Sequence, residues 1–191
     1  MEANPFSTLV TTGPEDLICD HLPLLFEPTE NARGVLRGHI ARANDLWRAG
    51  ERDALAIFHG PQAYITPSWY PDKRKHGRVV PTWNYQVVHA HGRLRFIEDP
   101  VWLRQNLAAL VERFEHRRTI PWALEDAPED YIDGMCRAIV GIELTITRLT
   151  GKHKASQHKS REEREAIRRG LLEEYGVDAE KAACLSSFGS F

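Results

Sequence analysis

The sequence predicts a mainly β, α+β fold: an antiparallel barrel of six strands with inserted and flanking helices. Short runs rich in β-branched and aromatic residues, bounded by Gly and Pro turn signals, cluster without the regular strand-helix alternation of a doubly wound sheet. Residues 142–147 alternate apolar and polar types, the period of a half-buried strand. A chain of 191 residues with 42% hydrophobic content suffices for one ordinary core.

FSTLVTT (6–12) reads as the first strand, Gly13-Pro14-Glu15-Asp16 as a turn, and LICDHLPLLF (17–26) as its hairpin partner. Pro23 cannot donate to a ladder, which demotes that second strand to an edge or a bulge. After a turn-like stretch at 27–31, GVLRGHI (34–40) is the third strand. ARANDLWRAG (41–50) has helical composition, with a helix expected to begin near Ala41 and to stop at Gly50. ALAIF (54–58) suits a strand buried on both faces; Gly60-Pro61 interrupts it, implying a bulge before AYIT (63–66) resumes.

A charged loop, KRKHGR (73–78), precedes the long strand VVHAHGRLRFI (87–97). Asp99 is placed to cap a helix whose first position is Pro100, and Trp102 or Leu103, Leu107, Leu110, Val111 and Phe114 recur at helical spacing over 100–117. Asp126 and Glu129 have capping-box spacing before a second helix that ends near Ala138. The sixth strand follows. The organisation is one domain over 1–170, with a helical insertion at about 99–138, and a C-terminal tail at 171–191.

A net charge of −2 and a pI near 6.5 give no global attraction to nucleic acid or to an anionic membrane. Charge is uneven, however: residues 148–170 carry eight Lys/Arg against three Asp/Glu, a local +5 that leaves −7 elsewhere. The basic helix in this region, REEREAIRRGLL, alternates sign, and no helix-turn-helix pattern stands out, which speaks against direct DNA binding. Cys19, Cys136 and Cys184 are odd in number and far apart, so the sequence suggests neither a disulfide framework nor a cysteine zinc site. The expectation is a soluble protein of the reducing cytoplasm, without a leader or a membrane span.

Residues 60–85 concentrate two of the five tryptophans, three of the five tyrosines and four prolines. Either an aromatic mini-core or the wall of a flat ligand would use such a stretch. Within it Thr82, Trp83 and Asn84 supply a hydroxyl, an indole and an amide in succession; alternation aims Thr82 and Asn84 one way and Trp83 the other. Trp69 and Tyr70 join them as wall residues. Upstream, a strand delivering His39 into a helix start, with Arg42 able to fork onto an oxyanion and Asn44 able to donate, suits a phosphate; the alternative has Asn44 as a cap and Arg42 in water. Downstream, GKHKASQ offers Lys152, Lys154, Ser156 and Gln157, as phosphate partners reaching across a dimer or as a charged strand edge. His89 and His91 have one-residue spacing on a strand face but lack a third metal ligand, so no metal is expected.

Taken together, GPQAYITPSWY and VPTWNYQVVHAHG, with RGHIARAN before them and GKHKASQ after, resemble the signature blocks of the PaiB-type family of FMN-binding split-barrel proteins, in order and spacing over about residues 5–170. The resemblance implies a split barrel, FMN as cofactor, a homodimer, and a role described as negative transcriptional regulation. It places His39, Arg42 and Asn44 on the phosphate side and assigns Thr82, Trp83, Asn84, Lys152, Lys154, Ser156 and Gln157 to the flavin site. Two departures stand out. His158 occupies the place of the asparagine in the family's GKxKxSQN, and the chain enters at Pro5-Phe6 without the Met-Tyr-x-Pro segment and first helix usual in the family. A flavin-dependent oxidoreductase acting on a small molecule or haem, and a ligand-binding protein without flavin, are the competing functions.

Overall fold

A computed structural model describes residues 1–13, 15–30, 33–75 and 77–188. Pro14 of the first turn, Asn31 of the second, His76 of the charged loop and the last three residues of the tail lie outside the described residues.

The described residues form one seven-stranded sheet in the order β2-β1-β5-β6-β7-β4-β3, with strands β1 (Phe6–Thr12), β2 (Leu17–Pro23), β3 (Leu25–Glu27), β4 (Val35–Ala41), β5 (Arg52–Ile65), β6 (Thr82–Ile97) and β7 (Ile139–Lys154). The predicted fold class holds, but the strand count is seven rather than six. LICDHLPLLF is the reason. Pro23, which has no N–H for a ladder, ends β2 at one edge of the sheet, and two residues later the chain enters β3 at the other edge. Leu24, between them, buries its side chain to 2% exposure and donates its N–H to the Pro5 carbonyl at 2.9 Å.

The expected break at Gly60-Pro61 is absent: β5 runs unbroken for 14 residues. β1 pairs with β5 only at Ala54–Phe58, so a proline beyond that stretch removes no bond from the β1–β5 ladder. The helix expected from Ala41 is a five-residue 3-10 helix, Asp45–Ala49, preceded by a turn and capped by Asn44. Asp126 closes a separate 3-10 turn by accepting from the Ala123 N–H at 2.9 Å, and Pro128 precedes the following α-helix. One-turn α1 (Asp72–Lys75) precedes the predicted α2 (Pro100–Glu115), which is capped as expected by Asp99 accepting from Val101 at 2.9 Å; α3 is Glu129–Arg137, α4 Arg161–Glu173 and α5 Ala179–Leu185.

Contacts divide the chain into two compact units, and β5, β6 and β7 each run from one into the other. Unit 1 comprises 1–58 and 89–150. Its core is built by alternating strand positions, among them Leu9, Leu36, Ala56, Leu94, Ile142 and Ile146, all fully buried. Across from that core, α2 packs on β4 and β7, where Gly141 leaves room for the Trp102 ring. Glu143, 4% exposed, accepts from Arg37 at 2.7 Å and from Arg95 at 2.8 Å, and Arg37 also pairs with Glu27.

Unit 2 comprises 59–88 and 151–191. Ala63, Ile65, Tyr70, Ile167, Leu171, Ala182 and Leu185 form its core, so residues 171–185 supply helical turns and buried side chains. Gly170 on α4 admits the Trp69 indole, whose ring would stand 2.2 Å from any added Cβ; the indole N–H donates to Glu174 at 2.8 Å.

Candidate functional site

In unit 1 the end of β4 sets three of the predicted residues. Leu36, Gly38 and Ile40 point into the core, leaving Arg37 and His39 on the opposite face. His39 is half-buried, and its Nδ1 is shielded from water without a hydrogen-bond partner. Burial lowers its pKa, so the ring is neutral at physiological pH. Arg42 follows the strand. Its Nε donates to the Arg137 carbonyl at 2.8 Å, Nη1 to Glu98 at 2.5 Å and Nη2 to the Ile139 carbonyl at 3.2 Å. Asn44 acts as a cap, accepting from the Leu46 N–H at 2.9 Å, and donates to Asp20 at 2.5 Å.

Arg42 also lines a cleft of about 350 Å³ with Glu98, Arg104, Asp133, Cys136 and Arg137 among its walls. Three arginines and two acidic residues line it, with Arg42 paired to Glu98 and Arg104 to Asp133 at 3.2 Å. An oxyanion fits this donor set, since two of Arg42's five N–H groups remain available beside its three bonds. Arg104 and Arg137 carried no signal in the sequence: they arrive on helices far downstream of the strand-to-turn segment that drew attention.

In unit 2 the start of β6 meets the end of β7. Lys154 donates to the Thr82 hydroxyl at 2.6 Å. Asn84, fully buried, donates to the Ser156 hydroxyl at 3.0 Å and to the Leu185 carbonyl at 2.8 Å, while the Ser156 hydroxyl lies 3.2 Å from the Asn84 carbonyl oxygen. Ser156 has a φ of 58°, unusual for a residue with a side chain. Gln157 folds back, donating to the His153 carbonyl at 2.7 Å and accepting from the Ala155 N–H at 3.0 Å. Lys152 is exposed.

Alternation along β6 places Trp83 on the solvent face, 48% exposed, while Thr82 and Asn84 turn the other way. The indole stands beside Tyr64 of β5, itself 39% exposed, at 6.2 Å between ring centroids and a 59° tilt. Its N–H donates to Gln62 at 3.2 Å. Neither Gln62 nor Tyr64 was singled out for the ring site by sequence; their parity with Trp83 becomes visible only once β5 is known to be continuous. Tyr70, held as a wall residue, instead belongs to the unit 2 core at 3% exposure, and Trp69 packs on α4.

An exposed indole with its polar atom already satisfied offers a flat apolar face, which an isoalloxazine ring requires. Within unit 2 the residues present thus fit the ring of a flavin; within unit 1, taken by itself, the arginine cleft fits an oxyanion. The remaining motif, His89-Ala90-His91, puts His91 Nε2 2.9 Å from an Arg148 nitrogen, and partial desolvation, Arg148 and His89 all lower the His91 pKa.

A family model described as "Putative FMN-binding domain" matches residues 1–148. Protease synthase and sporulation protein PAI 2 of Bacillus subtilis is 33% identical, the match covering 84% of this chain and 75% of that protein. The chain belongs to the PaiB-type FMN-binding domain family. Its cofactor is accordingly FMN, which supplies redox chemistry of its own when bound. A protein of Emericella nidulans is 32% identical over 93% of this chain and 85% of its own length.

Among solved structures, a flavocytochrome from Azotobacter vinelandii superposes on this FMN-binding domain with a TM-score of 0.57 at 14% identity, covering 85% of this chain and 68% of that one. An FAD and heme binding protein from Mycobacterium smegmatis gives 0.56 at 14% identity, covering 88% and 74%. At such identity the likeness concerns the split-barrel fold alone. Among the described residues no helix is long and apolar enough to cross a membrane.

Proposed function

We propose that this FMN-binding domain is a regulatory flavoprotein of the reducing cytoplasm that works as a two-fold homodimer, its activity set by flavin occupancy rather than by direct reading of DNA. The observation that carries the flavin reading is the solvent-facing Tyr64–Trp83 pair in a family defined by FMN binding. Within unit 2, Trp83 is the partner for a flavin ring and Lys152 and Lys154 are cations for a phosphate; within unit 1, Arg42 is the partner for an oxyanion, with His39 and Asn44 as its sequence neighbours. Since the two clusters belong to different units, each is tested by its own substitutions.

Dimerisation is supported by β7. Its burial stops after Ile146, and residues 147–152 are exposed throughout, an uncovered stretch in the middle of a 16-residue strand that includes Leu149. A second copy that covers it removes apolar surface from water.

The experiment is to purify the protein, denature it, and identify any released small molecule, with sedimentation of the native form alongside. Released FMN and a two-fold mass support the proposal. Colourless protein that takes up no added FMN, or a stable 21.8 kDa monomer at micromolar concentration, overturns it. Bleaching of the bound flavin by NAD(P)H would mark an oxidoreductase instead.

A further inference from the structure

An exposed tryptophan ordinarily gives its N–H to water and rotates among rotamers. Trp83 does neither. Its N–H is taken by Gln62 from the neighbouring strand, and Tyr64, two residues along β5 from Gln62, stands against one side of the ring. Ordering two exposed side chains costs rotamer entropy, about 1 kcal/mol or more for a glutamine, and a solvent-facing hydrogen bond returns a similar amount at best. The arrangement therefore adds little to folding. What it does add is shape, because rings tilted by 59° enclose a notch in which a planar group can lie flat on one ring and meet the other along its edge.

We propose that Gln62 is a positioning residue for flavin binding: it locks the Trp83 indole in the orientation that receives the isoalloxazine ring, while Tyr64 closes one side of the notch. The inference rests on the assignment of Trp83 to the flavin ring. It extends that assignment by giving the indole a fixed plane and by committing its N–H to the protein. The notch thus contributes stacking and no donor, so it selects for a flat heteroaromatic ring and is indifferent to the phosphate, taking the rings of riboflavin and FMN equally well.

The test compares Gln62→Leu, which removes the acceptor, Gln62→Glu, which keeps it, and Trp83→Ala, each titrated with FMN and with riboflavin while quenching of flavin fluorescence by the protein is recorded. Gln62→Leu should weaken both ligands by the same factor, about five-fold for one lost hydrogen bond, and reduce the quenching at saturation. Gln62→Glu should restore quenching and most of the affinity. Trp83→Ala should abolish quenching. If Gln62→Leu matches the parent in affinity and quenching while Trp83→Ala loses both, Trp83 stacks without its neighbour: the inference fails and the ring assignment stands. If Trp83→Ala also matches the parent, the ring assignment itself is overturned and the inference falls with it. Near-ultraviolet circular dichroism of each variant without flavin shows whether the fold is intact.

Discussion

Asn84 offers the most exacting test of the unit 2 architecture. Truncation to alanine removes three hydrogen bonds at once: two donated by the amide, at 3.0 Å to Ser156 and 2.8 Å to the Leu185 carbonyl, and one accepted from Ser156 at 3.2 Å. Since Asn84 is fully buried, the orphaned Leu185 carbonyl remains out of water at a cost of about 1–3 kcal/mol, and the bonds lost to Ser156, which keeps Tyr70 as a partner, add about 1 kcal/mol more. A total near 3 kcal/mol follows, which for a chain of this size corresponds to a fall in Tm of about 6–12 °C. Ser156→Ala leaves the Asn84 bond to Leu185 and should cost roughly a third as much. The double variant should cost little more than Asn84→Ala alone, because the two residues share their bonds. Calorimetry on all four proteins measures this. A loss below about 1 kcal/mol for Asn84→Ala, or strict additivity in the double variant, would refute the idea that this buried amide ties the strand ends to α5.

Three further outcomes are expected. Arg42→Ala should weaken FMN by thirty-fold or more, the effect of removing a charge-assisted partner at about 2–5 kcal/mol, and leave riboflavin nearly unchanged; equal losses would mean that the bonds to Arg137, Ile139 and Glu98 were holding the fold and no phosphate. Burial alone would push the Glu143 carboxyl up, but hydrogen bonds from Arg37 and Arg95 prevail and hold it below the usual carboxylate value. Its contribution is therefore complete above that usual value of 4.5 and is lost as pH falls through the lowered one, so Glu143→Gln should flatten the acid limb of a stability-against-pH curve, a difference that denaturant titrations from pH 6 to pH 3 detect. Duplex DNA should bind no tighter than about micromolar at physiological salt and without sequence preference. Nanomolar, selective binding in an anisotropy titration of the protein alone would contradict this.

Much of the fold was legible because local chemistry and tertiary structure agree. Asp99 and Pro100 start α2 where their side chains require it, and the alternation at 142–147 marks part of β7. What failed were inferences about continuity. Proline and glycine announce that something changes, not what: Pro23 moves the chain between opposite sheet edges, whereas Gly60-Pro61 lies inside a strand that continues past the end of its β1 partner. At the candidate site, alternation correctly set Trp83 against Asn84, since period two is a backbone property. The partner at Gln62 and the cleft arginines at Arg104 and Arg137 depend on pairings between distant segments, which composition and spacing do not encode. Trp69 and Tyr70 share the aromatic signature of Trp83, and only packing against α4 and α5 distinguishes core from surface.

Gly170 has a meaning for anyone who sets out to make this protein more robust. A glycine inside a helix is the first position a stabilisation campaign would convert to alanine, with a gain near 1 kcal/mol on propensity grounds. Here the methyl group would land on the Trp69 indole, whose nitrogen is tied to Glu174. The residue that looks like the weakest point of α4 is the socket that anchors the aromatic loop, and improvement by helix propensity has to begin elsewhere.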